Sequence, residues 1–307
     1  MLKGTTTAVL VLALLVPATA GAAKIDAKDV RSAELKTKSL RSVNQDNLGG
    51  TAHCPNGTRV LTGGAYWHKK GKPPKAEYKG LSAELTSSRP SVDGKGWFAS
   101  GVGEDKFILE IEVLCLPAKN LKDAAPMTVS GFPPDGGAEG GFLSCPSDFE
   151  TISGGVSWAT SFENEDPDDA FRALTASSTV TGDSTGWYAD GTDNWVGQPP
   201  VLGIFIVVRC LPSDQLGKTV LRSKNFEATD DEVVGGTAKC PKETEALTGG
   251  GYWNTGGNPT PDSNEGIFGG SNGFTKGNKG WFASGNNFNA GGVGGTRTLT
   301  VQVLCLK

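Results

Sequence analysis

Glu110 and Glu112 stand two residues apart, a spacing that in a strand sets both carboxylates on one face. Paired carboxylates are the machinery of glycoside hydrolysis. The other copies of the repeat described below do not keep the pair, so solvated charges at a strand edge are expected. The densest acidic run, Glu163-Asn-Glu-Asp-Pro-Asp-Asp169, offers Glu163, Glu165, Asp166, Asp168 and Asp169 as oxygen ligands for Ca²⁺. It lacks the EF-hand spacing and the central Gly of that loop, and a solvated loop is the preferred reading.

The remaining motifs fail on their partners. Gly269-Gly-Ser-Asn-Gly273 matches the GxSxG string, but that arrangement places its His after the Ser, and the last His is His68. The match reads as a Gly-rich loop. Gly217-Lys-Thr219 ends like a phosphate loop, yet Pro212 occupies the place of its first Gly. No CxxC or HExxH spacing occurs, and His53 and His68 have no counterparts in the other copies, so no zinc site is expected. With no nucleophile–base pair and no metal site, the chain reads as non-enzymatic. Asn56-Gly-Thr58 is a formal glycosylation acceptor, meaningful only in a eukaryotic host.

The elements that position these residues come in threes. Gly49-Gly-Thr-Ala-His-Cys-Pro55 returns as Gly140-Gly-Phe-Leu-Ser-Cys-Pro146 and Gly235-Gly-Thr-Ala-Lys-Cys-Pro241. Each is followed without insertion by a Gly pair (63–64, 154–155, 249–250) and a Trp (Trp67, Trp158, Trp253). Gly96-Trp-Phe-Ala-Ser100, Gly186-Trp-Tyr-Ala-Asp190 and Gly280-Trp-Phe-Ala-Ser284 form a second series, and an apolar segment ending in Cys115, Cys210 or Cys305 closes each copy. Between copies a short strand-like piece recurs, Leu40-Arg-Ser-Val43 and Val220-Leu-Arg-Ser223, with Met127-Thr-Val-Ser130 as a looser version. The organisation is a leader over 24–48, β units over 49–117, 118–212 and 213–307, and linkers over 118–139 and 213–234. In the leader the apolar residues recur every five, which gives a helix no apolar face. It is expected to be an extended stalk or the first unit's version of the linker.

The closing segments alternate. Phe107, Leu109, Ile111, Val113 and Cys115 share one face, and the other copies repeat this, so the cysteine points inward. Intra-unit pairing follows as the expectation: Cys54–Cys115, Cys145–Cys210 and Cys240–Cys305. The rival scheme joins each closing Cys to the next opening one and needs Cys54 to meet Cys305. Alternation also assigns Trp67, Trp158 and Trp253, and with them Trp97, Trp187 and Trp281, to the core. Tyr66, Tyr188 and Tyr252 fall on the opposite faces, and Trp195 sits alone in a Gly/Asp/Asn-rich stretch. These four are the expected exposed aromatics. The fold class is all-β: three homologous antiparallel units with one disulfide each, either closed into one pseudo-threefold body or strung as beads, with closure preferred.

Residues 1–23 read as a signal peptide, with Lys3 before the apolar run 8–16 and Ala18-Thr-Ala20 as the cleavage site. No later stretch reaches the roughly 20 apolar residues of a membrane span, and no Cys near the cleavage site suggests a lipid anchor. Secretion fits six cysteines in pairs. A formal charge of −4 predicts no attraction to nucleic acid. The copies diverge in charge: between its cysteines the second unit has ten Asp/Glu against two Arg, whereas the first has a basic stretch, Lys69-Lys-Gly-Lys72 with Lys75 and Lys79. Self-association through these charges would depend strongly on salt.

The Cys-Pro openings, Gly pairs, Gly-Trp-x-Ala strings and closing strands over 24–307 resemble a group of secreted bacterial repeat proteins of the actinobacterial type, largely of unknown function. A more distant resemblance is to the vitelline membrane outer layer protein I family, which implies a threefold β-prism. The Gly-Asp/Asn-Thr-Ala-Leu-Asn string of that family is missing here, and no site residue is carried over. The expected function is multivalent binding of an extracellular or cell-surface polymer, a glycan first, through Tyr66, Tyr188, Tyr252 and Trp195. The alternative is a structural, protease-resistant envelope or matrix protein.

Overall fold

A computed structural model describes residues 24–43, 47–70, 83–125, 128–132, 138–159, 173–193, 203–229, 232–254, 267–287 and 295–307. The signal-peptide segment, Trp195 and the acidic run 163–169 lie outside them. The chain begins with a short helix, α1 (Ala27–Ser32), whose N-cap Asp26 forms a capping box with Asp29. The first unit then supplies β1 (Glu34–Arg41), β2 (Asn47–His53), β3 (Thr58–Lys69), β4 (Ala83–Pro90), β5 (Gly96–Gly103) and β6 (Phe107–Pro117). The second supplies β7 (Thr128–Phe132), β8 (Ala138–Ser144), β9 (Phe149–Ala159), β10 (Ala173–Val180), β11 (Gly186–Asp193) and β12 (Gly203–Pro212). The third supplies β13 (Thr219–Ala228), β14 (Val233–Lys239), β15 (Glu245–Asn254), β16 (Ile267–Phe274), β17 (Gly280–Asn286) and β18 (Arg297–Leu306).

No sheet belongs to one unit. The three six-stranded sheets run β1-β6-β3-β16-β17-β14, β2-β5-β4-β9-β12-β7 and β13-β18-β15-β10-β11-β8. Each joins three strands of one unit to three of another, and the order of donors is cyclic: the third unit completes the first unit's sheet, the first completes the second's, and the second completes the third's. The ring therefore closes. The junctions are narrow, with Tyr66 and Ala65 opposite Ser271 and Asn272, Ser88 opposite Val156, and Ser178 opposite Gly251.

Within a unit the two half-sheets face each other across an apolar interior. In the first, Trp67, Trp97, Leu109, Ile111 and Val113 are buried with the Cys54–Cys115 bond. Cys145–Cys210 and Cys240–Cys305 occupy the same place in the others. Each bond closes a loop of 61 or 65 residues, worth about 4 kcal/mol by chain entropy. All six repeated Trp are buried to 2 % exposure or less.

The Gly pair has two separate reasons. A Cβ on the first Gly would enter the ring of the same unit's second Trp: Gly63 lies on Trp97, Gly154 on Trp187 and Gly249 on Trp281. A Cβ on the second would strike a backbone carbonyl of the neighbouring unit: Gly64 meets Asn272, Gly155 meets Ser88 and Gly250 meets Ser178. Those same three residues accept from the indoles. Trp97 Nε1 donates to Ser88 Oγ at 3.0 Å, Trp187 Nε1 to Ser178 Oγ at 3.0 Å, and Trp281 Nε1 to Asn272 Oδ1. One residue per junction thus links a unit's interior to its neighbour.

Two local expectations change. A bulge in β3, β9 and β15 makes Leu61, Ile152 and Leu247 extra residues against their partner strands. They leave the Trp face and join one apolar cluster shared by the units. The linker piece Leu40–Val43 is also not the counterpart of Val220–Ser223. Glu34 lies opposite Cys115 where Val220 lies opposite Cys305, so the equivalence starts six residues earlier. Edge strand β1 is largely exposed and polar, which hid the match. The period-five segment is no free stalk: its beginning forms α1, capped by side-chain hydrogen bonds, and the rest pairs as β1.

Candidate functional site

Positions equivalent under the repeat but occupied by different chemistry mark where one junction departs from the others. The clearest is residue 273. Arg89, Thr179 and Gly273 each lie opposite the residue after the unit's second Trp, respectively Phe98, Tyr188 and Phe282. Arg89 is fully buried, with its guanidinium 5.1 Å from the Phe98 ring. Thr179 is buried and donates to Gln302 at 2.8 Å. Gly273 has no side chain to place there, where a Cβ would meet Tyr66 and Glu112, and beside it a groove of about 460 Å³ lies across the junction of the first and third units.

Tyr66, Phe274 and Phe282 line this groove, with Glu112, Lys276 and the exposed Leu35 around them. Tyr66 Oη donates to Glu112 Oε1 at 3.1 Å, while the buried Glu112 Oε2 has no partner among the described residues. Burial pushes the Glu112 carboxyl up to about 7, with the neighbouring Glu110 adding to the effect and the Tyr66 hydrogen bond opposing it. Burial, with Glu112 and Glu110 close by, likewise raises the Tyr66 phenol. Below neutrality the groove presents a carboxylic acid able to donate as well as accept.

The expectation of solvated glutamates is therefore corrected. Glu112 is 9 % exposed, covered because β16 arrives from the third unit. Glu110 accepts from Ser39 Oγ at 2.6 Å and lies 3.5 Å from His68 Nε2. Two of the expected exposed aromatics are corrected as well. Tyr188 is fully buried, its ring 4.8 Å from Phe142 and its hydroxyl donating to Asp190 at 2.6 Å. Tyr252 is 8 % exposed in β15, a central strand buried along its length. The faces turned away from the unit interiors are covered by the neighbouring unit, so alternation does not mark them as wet. Of Tyr66, Tyr188 and Tyr252, Tyr66 is the one left half-buried, and it lines the groove. Gly269–Gly273 is also not a loop: it runs within β16, with Ser271 in the ladder opposite Ser284 and Tyr66.

Phe274, Phe282 and Gly273 escaped notice in the sequence, although comparing the three copies position by position exposes Gly273. No group of three or more His, Cys, Asp or Glu suited to a metal occurs among the described residues, and the five acidic Ca²⁺ candidates lie outside them. No helix among the described residues is long and apolar enough to cross a membrane. No protein-family model matches the chain, and no curated protein matches its sequence.

Proposed function

We infer that this protein is a secreted, non-enzymatic module that binds an extracellular or cell-surface glycan through the groove between its first and third units. The observation that carries this reading is the groove walled by Tyr66, Phe274 and Phe282, beside the departure at Gly273, with the Glu112 Oε2 atom unpartnered among the described residues. Aromatic walls with a few convergent polar atoms suit a sugar, whose CH faces stack while its hydroxyls need partners. A space of about 460 Å³ is in the range of small-ligand sites.

The test uses the disulfide-bonded chain without residues 1–23 on an array of glycans and cell-wall polymers, beside Gly273→Thr, which restores the Thr179 chemistry. A Cβ at 273 meets Tyr66 at 3.4 Å and Glu112 Oε2 at 3.7 Å, ordinary contact distances, so this variant is expected to fold and to lose binding. Retention of the same glycan signal by a folded G273T sinks the reading. A blank array favours the structural alternative, for which a closed ring with a disulfide in every unit is the supporting observation.

A further inference from the structure

A second groove, of about 670 Å³, lies beside the first unit where the turn Ala118–Leu121 leads into the second. Among the described residues, Arg59, Lys119, Lys122 and Arg209 line it, against the single carboxylate of Asp93. That carboxylate is engaged: it accepts from Ser91 Oγ at 2.6 Å and from the Lys95 backbone N–H at 2.8 Å. Lys122 has Asp123 at 3.9 Å. Arg209 is 7 % exposed and donates to the Val60 carbonyl, and no ion pair reaches it among the described residues. Burial, with the like charge of Arg59, lowers its guanidinium to about 10.

The repeat shows what this place holds elsewhere. One residue before each closing Cys stand Leu114, Arg209 and Leu304, and both leucines are fully buried. Packing is therefore met by Leu in two copies, while the second buries a cation with no carboxylate paired to it among the described residues, a costly arrangement. Five residues after each opening Cys stand Arg59, Glu150 and Glu245. In the third unit Glu245 is fully buried and neutralises Arg31 at 2.7 Å and Lys279 at 2.5 Å. The first unit has Arg59 where this carboxylate would be, so its groove collects cations and lacks the anion that the fold supplies elsewhere.

We propose that this groove takes a carboxylate from a ligand, in the position that Glu245 fills in the third unit, and that the ligand is an acidic polysaccharide carrying uronate. The uronate assignment rests on the glycan reading above; the carboxylate does not. Arg209 would supply a fixed fork of donors for planar recognition of the carboxylate, with Arg59 and Lys119 adding attraction. The rest of the lining is small or apolar, including the exposed Val92, a surface suited to the CH face of a sugar ring.

Calorimetric titration with a hexagalacturonate, its methyl ester and a neutral hexaose tests this. Wild type is compared with Arg209→Leu and Arg59→Glu, each of which installs the residue found in the other copies; folding is checked by thermal melt and disulfide content. Binding of the hexagalacturonate but not the ester is expected, weakening with added salt and falling at least tenfold in both variants. Equal binding of acid and ester, or unchanged affinity in folded variants, overturns the proposal. A blank uronate titration beside retained neutral-glycan binding sensitive to G273T overturns it while leaving the first groove intact. Equal, variant-sensitive binding of hexaglutamate overturns the assignment to a sugar.

Discussion

Arg31 and Glu245 are 214 residues apart in the chain, and Arg31 Nε donates to Glu245 Oε1 across 2.7 Å. The contact ties the helix that opens the first unit to the body of the third. The glutamate is fully buried, whereas the Arg31 and Lys279 side chains are 62 % and 53 % exposed. Removing either cation leaves the other on the carboxylate, but removing both strands a buried charge. Arg31→Ala and Lys279→Ala should each cost about 1 kcal/mol, as expected of partly exposed partners, and together about 3–5 kcal/mol. A double-mutant cycle by urea unfolding checks this; additive losses would count against a shared carboxylate.

Each member of a Gly pair should fail in its own way. Gly250→Ala sets a Cβ against the Ser178 carbonyl, a backbone atom of another unit. It should cost about 3 kcal/mol and loosen the second–third junction first. Gly249→Ala meets the Trp281 ring and should disturb the interior of the third unit. Hydrogen exchange distinguishes the two: Gly250→Ala should speed exchange in β10 and β15, Gly249→Ala in β17 and β18.

Stability should fall towards alkaline pH through Glu112. Its pKa is about 7 in the fold against an ordinary value of 4.5, so the folded state holds a proton that the unfolded chain releases. The contribution is complete below about 4.5 and is lost as pH rises through about 7. Its size is on the order of 3 kcal/mol. Glu112→Gln should flatten the dependence of the unfolding free energy between pH 5 and 8. An unchanged slope in that variant would assign the effect to another group.

The all-β class, the intra-unit disulfides and the inward faces of the closing strands were legible because alternation in segments such as Phe107–Cys115 is a local property. What lay beyond reach was contributed by another unit. Thr62, Ser157 and Thr248 look like a solvent face, yet they are buried where units meet. Thr62 Oγ1 lies 3.3 Å from Thr248 Oγ1, and Ser87 Oγ lies 3.4 Å from Ser157 Oγ. Hydroxyls can satisfy one another across an interface, so polarity there did not mean water. Tyr188, Tyr252 and Glu112 were misplaced for the same reason. The grooves were half legible: Arg59 against Glu150 and Glu245, Arg209 against two leucines, and Gly273 against Arg89 and Thr179 can all be read by counting from the motifs. What such substitutions open or uncover needed the strand pairing.

The amide of Ala27 donates to the carbonyl of Lys307 at 3.2 Å, and Ile25 bridges Leu216 in the linker before the third unit. The two ends of the described chain thus meet at a seam of the ring. Topologically the described residues are nearly a circle. A circularly permuted version of residues 24–307, joined here and opened at another seam, would keep the same strand pairs and the same three disulfides.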